Sequence, residues 1–508
     1  MTIVAPGYSM PTTSTSLVST SSLPAPTSSS SSSSTSSSSS SIRSTTSTST
    51  TIVAGALGFY VGPNGSDSTG TGERAKPFRT INKAIAVGRS GDTVVLLDNS
   101  DSQPYASFTA NKSFMSIRAE HEGQAAIITT GLRAAEVAAS NVRIEGLAMR
   151  SADGSSCNDE VLRVSSGVTG FQLIRSIVGW NNRRCNSHPI KLIGTNSASI
   201  IENACLNHSR HCISFTGGSG HKVLRNHIDN RGRGPLLNPP PGGTSQEAIA
   251  LYPSTKSLVA NNLVEGSKSW GININATALA EQVRILGNIV AGTYLGMKLN
   301  TRPGGVVLNA LVQDQIFARI TGGSYEIRDS ATVKTVYDHM TAYAGALGVD
   351  VLDPSTSGSS LSCVDSPQDP SMAIRNSILG KLSIKPCSGV TRGCEVTNTI
   401  ATSKSIMSGC NVSGLTSTLP ADLGDSGAGK CLVDTSSPLG ADVKCRIDDA
   451  GNLTNDPLWG SDGQFRFCPP VRAGWNSDPA NRCDTFAERK LNHKRDGSGC
   501  PAARWACS

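Results

Sequence analysis

Acidic and imidazole side chains recur at one place in a series of short apolar segments. Glu160 stands before Val161-Leu162, His188 before Pro189-Ile190, His211 before Cys212-Ile213 and Glu247 before Ala248-Ile249. Trp270 and Leu295 hold the same place before Gly271-Ile272 and Gly296-Met297. Cations and an amide lie close by: Arg163, Lys191, Arg210, Lys268, Asn273 and Lys298. A histidine titrating near neutral pH can take a proton in a reaction. Lysine and arginine can neutralise a carboxylate, which acidifies the C–H bond beside it. Together these residue types suit β-elimination on a polymer carrying one carboxylate per sugar. His211 or His188 would be the base, Glu247 and Lys191 would complete the catalytic group, and Arg163, Arg210, Lys268, Trp270, Asn273 and Lys298 would hold the sugars. Hydrolysis would instead need two carboxylates, one of raised pKa.

Residues this far apart in sequence act together only if a repeat stacks them. In a short strand alternate residues face one side. Leu162, Ile190, Ile213, Ile249, Ile272 and Met297 are therefore expected to form one buried column, and Val164, Leu192, Phe215, Leu251, Ile274 and Leu299 the next. A second segment type recurs between them: Ile201-Glu202-Asn203, Leu224-Arg225-Asn226, Val259-Ala260-Asn261, Ile374-Arg375-Asn376 and Val396-Thr397-Asn398. Most spacings are about 23 to 28 residues, the length of one coil of a solenoid whose neighbours bury each other's faces. The asparagines Asn203, Asn226, Asn261, Asn376 and Asn398 read as one column of turn amides bonded from coil to coil. His227, beside that column, is expected in a turn, and His221, in a Gly-rich turn, is expected to be solvated.

Coils stack about 4.8 Å apart, so Glu160, His188, His211 and Glu247 would form a straight row. Glu160 and Glu247 would then stand about three coils apart, beyond the ~6.5–9.5 Å carboxyl separation of an inverting hydrolase. The step from His211 to Glu247 is 36 residues. Its excess, Arg231 to Ser245, reads as a loop overhanging the row.

The start of the folded chain carries a resemblance. Phe59-Tyr60-Val61, Pro63-Asn64-Gly65-Ser66-Asp67, the stretch from Pro77 to Ile85 and Gly91-Asp92-Thr93-Val94-Val95 together resemble the N-terminal cap of right-handed parallel β-helix proteins, the pectate-lyase-like superfamily. Pro77 is expected to open a capping helix, with Phe78, Ile81 and Ile85 on one face and Gly88 at its end. The expected fold is all-β, a right-handed parallel β-helix over residues 58–415. A disordered Ser/Thr-rich stalk is expected over 1–57, and Cys-rich coils and a cap over 416–508, shielding the terminal strand edges.

Arg210-His211-Cys212-Ile213-Ser214-Phe215 is similar to the Gly-His-Gly-Ile-Ser-Ile stretch of polygalacturonases, with His211 at the motif histidine. That family carries aspartates in the preceding coils, where this chain has Glu160 and His188, and its later Arg-Ile-Lys is missing here. The leading expectation is cleavage of an acidic, uronate-containing polysaccharide by β-elimination. Two alternatives stay open. One is a glycoside hydrolase of the pectinase type. The other is a non-catalytic surface protein, a spacer, adhesin or fibre component in which His188 and His211 only hydrogen-bond. Lyases of this fold often use calcium, so Ca2+ is compatible as a cofactor, although no Asp cluster demands it and no metal ligand is assigned.

Composition narrows the class further. The 508 residues include 51 Gly, with 16% charged and 5% aromatic side chains, which excludes a helical bundle or coiled coil. The net charge of +7 is not gathered into basic runs, so nucleic acid is not expected as a partner and acidic polysaccharide is. The best apolar run, Thr51 to Gly62, is too short to span a membrane. Fourteen cysteines, none before Cys157 and none in CxxC spacing, point to disulfides and an extracellular or cell-surface location. Met1 to Pro11 lacks the character of a signal peptide. Cys157 with Cys185 is the pair expected from coil spacing, and Cys205 with Cys212 is a second, local pair.

Overall fold

In the computed structural model the described residues are 58–313, less 132, 153–159, 181–187, 209, 231–246, 268, 277–278, 292, 294 and 302–305. Strand segments between 315 and 416 and short strands from 430 onward complete them. The Ser/Thr-rich segment, the insertion from Arg231 to Ser245, the Cys157–Cys185 pair, Lys268 and Tyr294 lie outside the described residues.

Alternating apolar residues dictate the architecture. Leu162, Ile190, Ile213, Ile249, Ile272 and Met297 are fully buried, as are Val164, Leu192, Phe215, Leu251, Ile274 and Leu299. They pair in parallel register from coil to coil, Leu162 with Ile190, Ile190 with Ile213, Ile213 with Ile249, Ile249 with Ile272 and Ile272 with Met297. Each such side chain contributes about 1.5–3 kcal/mol by leaving water, and it does so only because the next coil covers it. The result is a right-handed parallel β-helix with three strands per coil. Ile190–Asn196, Ser199–Ile201 and Ala204–Leu206 make one coil, and Ile213–Ser219, Lys222–Leu224 and His227–Asp229 make the next. These define a first, second and third row. The parallel ladder runs to Cys410–Thr416, and the strands described beyond it pair antiparallel.

The cap forms with one shift. Its strand is Gly58–Val61 and its helix Ile81–Val87, so Pro77 does not open it. Thr80 is the N-cap: its side chain accepts from the Lys83 amide and donates to Asp67, which also accepts from the Arg79 and Thr80 amides. Phe78 bridges to Val61 instead of joining the helix. A capping threonine stabilises a helix start by about 1 kcal/mol, and that hydroxyl sets the boundary.

The asparagine column is also displaced. The ladder runs Asn203, Asn226, Asn262, Asn288 and then Gln315, each side-chain oxygen accepting from the residue one coil before. Asn261 stands one residue earlier, at φ 57°, in line with Arg225 at 54° and Glu202 at 57°. Ser377 and Thr399 take the ladder place near the end, bonding the carbonyls of Arg375 and Thr397, while Asn376 and the Asn398 side chain lie outside the described residues. The left-handed turn position tolerates asparagine, and the repeat of Asn in sequence mixes the two adjacent positions. Two histidine expectations are corrected as well. His221 is buried with its ring 4.3 Å from that of Phe215. His227 lies on a third-row strand, not in a turn, and its Nε2 is 2.9 Å from Glu265 Oε2.

Candidate active site

The first row begins where the chain leaves the connection from the third row. Backbone bonds set that corner: Val161 N donates to His188 O, Cys212 N to Glu247 O and Ala248 N to Trp270 O. Glu160, His188, His211, Glu247 and Trp270 therefore follow one another along the solenoid, one per coil. A disulfide between Cys205 and Cys212, with Cα atoms 6.2 Å apart, ties the middle of one third-row strand to the residue after His211.

The imidazoles of His188 and His211 lie 4.7 Å apart between ring centroids. Nδ1 of His211 is 2.8 Å from Glu247 Oε2, but off the hydrogen-bonding direction, so the contact is a close approach and not an aligned bond. Tyr252 donates its hydroxyl to Glu247 Oε2 at 2.6 Å and lies 3.4 Å from His211 Nε2. Asn273 Nδ2 donates to Glu247 Oε1 at 2.8 Å. One carboxylate thus gathers a histidine, a tyrosine and an asparagine from three successive coils. His211 and Glu247 are 3% and 2% exposed, and Tyr252, Arg210, Lys191 and Arg163 are half-buried around them.

Charge is distributed unevenly along the row. Lys191 Nζ is 2.6 Å from Glu160 Oε1, and Arg133 reaches the other Glu160 oxygen at 3.5 Å while also pairing with Glu136. Burial alone would raise the Glu160 carboxyl, but Lys191 and Arg133 outweigh it and hold the pKa below the ordinary carboxylate value. Burial, the neighbouring His211 and the cations Lys191 and Arg210 all push the His188 imidazole well down, so it is neutral. The Nε atoms of Arg163 and Arg210 are buried and find no hydrogen-bond partner among the described residues. Trp270 is buried, with Lys298 Nζ 5.2 Å from its ring centroid, a cation–π contact and not an open sugar platform.

Sequence reasoning missed Tyr252, Arg133 and His208. Tyr252 pairs in register with Thr216, two places beyond Ala250, so extending the outward alternation by one step would have found it. His208 is fully buried behind Arg210, its Nδ1 3.3 Å from the Arg210 carbonyl and its Nε2 3.2 Å from Ser267 Oγ. Burial lowers its pKa to about 4.

No protein-family model matches the sequence, and no curated protein does. Solved structures of similar backbone include the Dettilon tailspike protein, at 12% identity over 70% of this chain and 68% of that one, with a TM-score of 0.44. XylC in complex with xylose is similar at 11% identity over 72% and 87% of the two chains, TM-score 0.48. Pectate lyase Pel9A is similar at 10% identity over 83% and 94%, TM-score 0.35. Among the described residues no helix is long and apolar enough to cross a membrane.

Proposed function

We propose that the chain is an extracellular enzyme that cleaves an acidic polysaccharide by β-elimination at the His211–Glu247–Tyr252 cluster. The observation that carries this reading is the pair of contacts on Glu247, with His211 Nδ1 at 2.8 Å and the Tyr252 hydroxyl at 2.6 Å. Glu247 Oε2 lies against the Nδ1 edge of the imidazole, and Nε2 faces Tyr252. His211 Nε2 takes the proton beside the uronate carboxylate, the C–O bond to the next sugar breaks, a C=C bond forms, and Tyr252 protonates the departing oxygen. Arg210 and Arg163, whose Nε atoms find no hydrogen-bond partner among the described residues, are suited to neutralise the uronate carboxylate as its neighbouring C–H is lost. Lys191 already pairs with Glu160, so its share in that task is smaller. Calcium could assist by the same neutralisation, but none of the three clustered residues requires it.

The hydrolase alternative is weakened by Glu160. A general acid needs a raised pKa, and Glu160 is held below its ordinary value by Lys191 and Arg133. The test is incubation of the full chain with a panel of uronate polymers. Unsaturated products, detected by the ultraviolet absorbance of a C=C bond conjugated to the carboxylate and formed without uptake of water, are expected. Products one water heavier would favour hydrolysis, and intact polymers throughout would favour the spacer.

A further inference from the structure

We propose a divalent transition-metal site on the third strand row, built by His227, Asp229 and Glu265. The three residues come from two adjacent strands, His227–Asp229 and Leu263–Glu265, with Asp229 in parallel register with Glu265. Ile228 and Val264 fill the core, so alternation turns His227, Asp229 and Glu265 to the other side of the sheet. One ligating atom of each lies within 4.8 Å of the other two, and His227 Nε2 is 2.9 Å from Glu265 Oε2.

Register and burial together favour an ion here. Two carboxylates one coil apart repel each other. Glu265 is fully buried and His227 is 6% exposed, and the apolar Leu206 pairs with Asp229 from the preceding coil. In such surroundings a charge is costly unless it is balanced. A divalent cation neutralises both carboxylates at once, and the imidazole supplies a nitrogen ligand. One nitrogen and two carboxylate oxygens suit Zn2+ or Mn2+ better than Ca2+, which takes oxygen ligands. Zinc bonds of about 2.0–2.2 Å set ligand atoms roughly 3–4 Å apart, so small side-chain rotations complete the site. Asp229 is half-exposed and provides the entry side. The ion would brace the last strand before the insertion at Arg231, whose far end returns at Glu247. This site stands whether or not the His211 cluster is catalytic.

The full chain is stripped with a chelator and titrated separately with Zn2+, Mn2+ and Ca2+, following heat and Tm. Binding of one equivalent of Zn2+ or Mn2+, with a Tm that climbs with metal concentration, is expected. Asp229→Asn and Glu265→Gln should each weaken binding at least about tenfold, the loss that even an outer-sphere partner produces. Asp229→Asn alters a half-exposed residue at constant size. Should both variants misfold, X-ray absorption of the Zn2+-loaded natural sequence decides by its ligands, because one imidazole with oxygens supports the site and thiolate sulfur places the ion elsewhere. No stoichiometric binding, a preference for Ca2+ alone, or unchanged affinity in both variants overturns the proposal.

Discussion

Glu247 Oε2 meets His211 Nδ1 at 2.8 Å although 36 residues separate them in the chain. The contact follows from register alone: Ile213 pairs with Ile249, so the residues two places before each are carried to the same corner. A long insertion between them does not disturb it, because the coil resumes its frame at Glu247. The catalytic reading predicts a split in kinetics. His211→Ala should lower kcat by about 10²–10⁴, the span of general-base catalysis, with polysaccharide binding nearly unchanged. Arg210→Ala should raise KM as well. Steady-state kinetics on the polymer identified in the panel measure both, and full activity in His211→Ala removes that residue from the mechanism.

Acid should destabilise the fold through its buried histidines. Burial lowers the pKa of His208 and of His221 to about 4 from an ordinary 6.5. The unfolded chain therefore binds protons between those values while the folded chain does not, so stability is complete above pH 6.5 and falls as pH drops toward 4. Each group contributes about 3 kcal/mol at most to that fall, at 1.36 kcal/mol per pKa unit. Urea unfolding followed from pH 7 to pH 4 measures the slope. His221→Phe, which keeps a ring against Phe215, should flatten it, and an unaltered slope in that variant would exonerate His221.

The asparagine ladder makes a sharper test because two neighbouring residues should behave differently. Asn226→Ala removes the acceptor of the Asn203 amide and side chain, and a donor to the Ile200 carbonyl. A buried amide left unsatisfied costs about 1–3 kcal/mol, so the variant should lose at least that much in denaturant unfolding. Asn261→Ala alters a left-handed turn residue and none of these ladder bonds, so it should cost clearly less than Asn226→Ala. Equal losses at both positions would contradict the displaced ladder.

That displacement shows what the sequence carries and what it hides. The inward columns were readable because period-two alternation leaves no choice: shifting Ile213 or Ile249 by one residue would expose the whole face. The row from Glu160 to Trp270 was readable for the same reason, since it is counted from those columns. Turns have no such constraint. Asn261 and Asn262 are chemically identical, and only the backbone φ and the Asn288 bond separate their roles. Partnerships across the row were less legible still. Nothing in the order of residues says that Lys191 turns back to Glu160 one coil earlier, or that Tyr252 reaches across to Glu247, because side-chain direction beyond the alternation depends on local charge and space. His221 was misplaced because a Gly-rich turn suggests solvent, while Phe215 one strand away offers a ring to pack on.

The Glu160–Lys191 pair separates elimination from hydrolysis. If Glu160 only balances Lys191 and Arg133, Glu160→Gln should keep the cleavage rate within a few-fold. It should also lower stability, because the half-buried Lys191 loses the carboxylate 2.6 Å from it, while Arg133 keeps Glu136. If Glu160 were the general acid of a hydrolase, the same change should remove about 10²–10⁴ of the rate. Lys191→Ala gives the complementary result. It leaves Arg133 beside Glu160, lets the Glu160 pKa rise toward the value that burial favours, and weakens polymer binding. Measuring rate and chemical denaturation on both variants decides the matter, and a rate collapse in Glu160→Gln with unchanged stability would transfer the mechanism to the carboxylates.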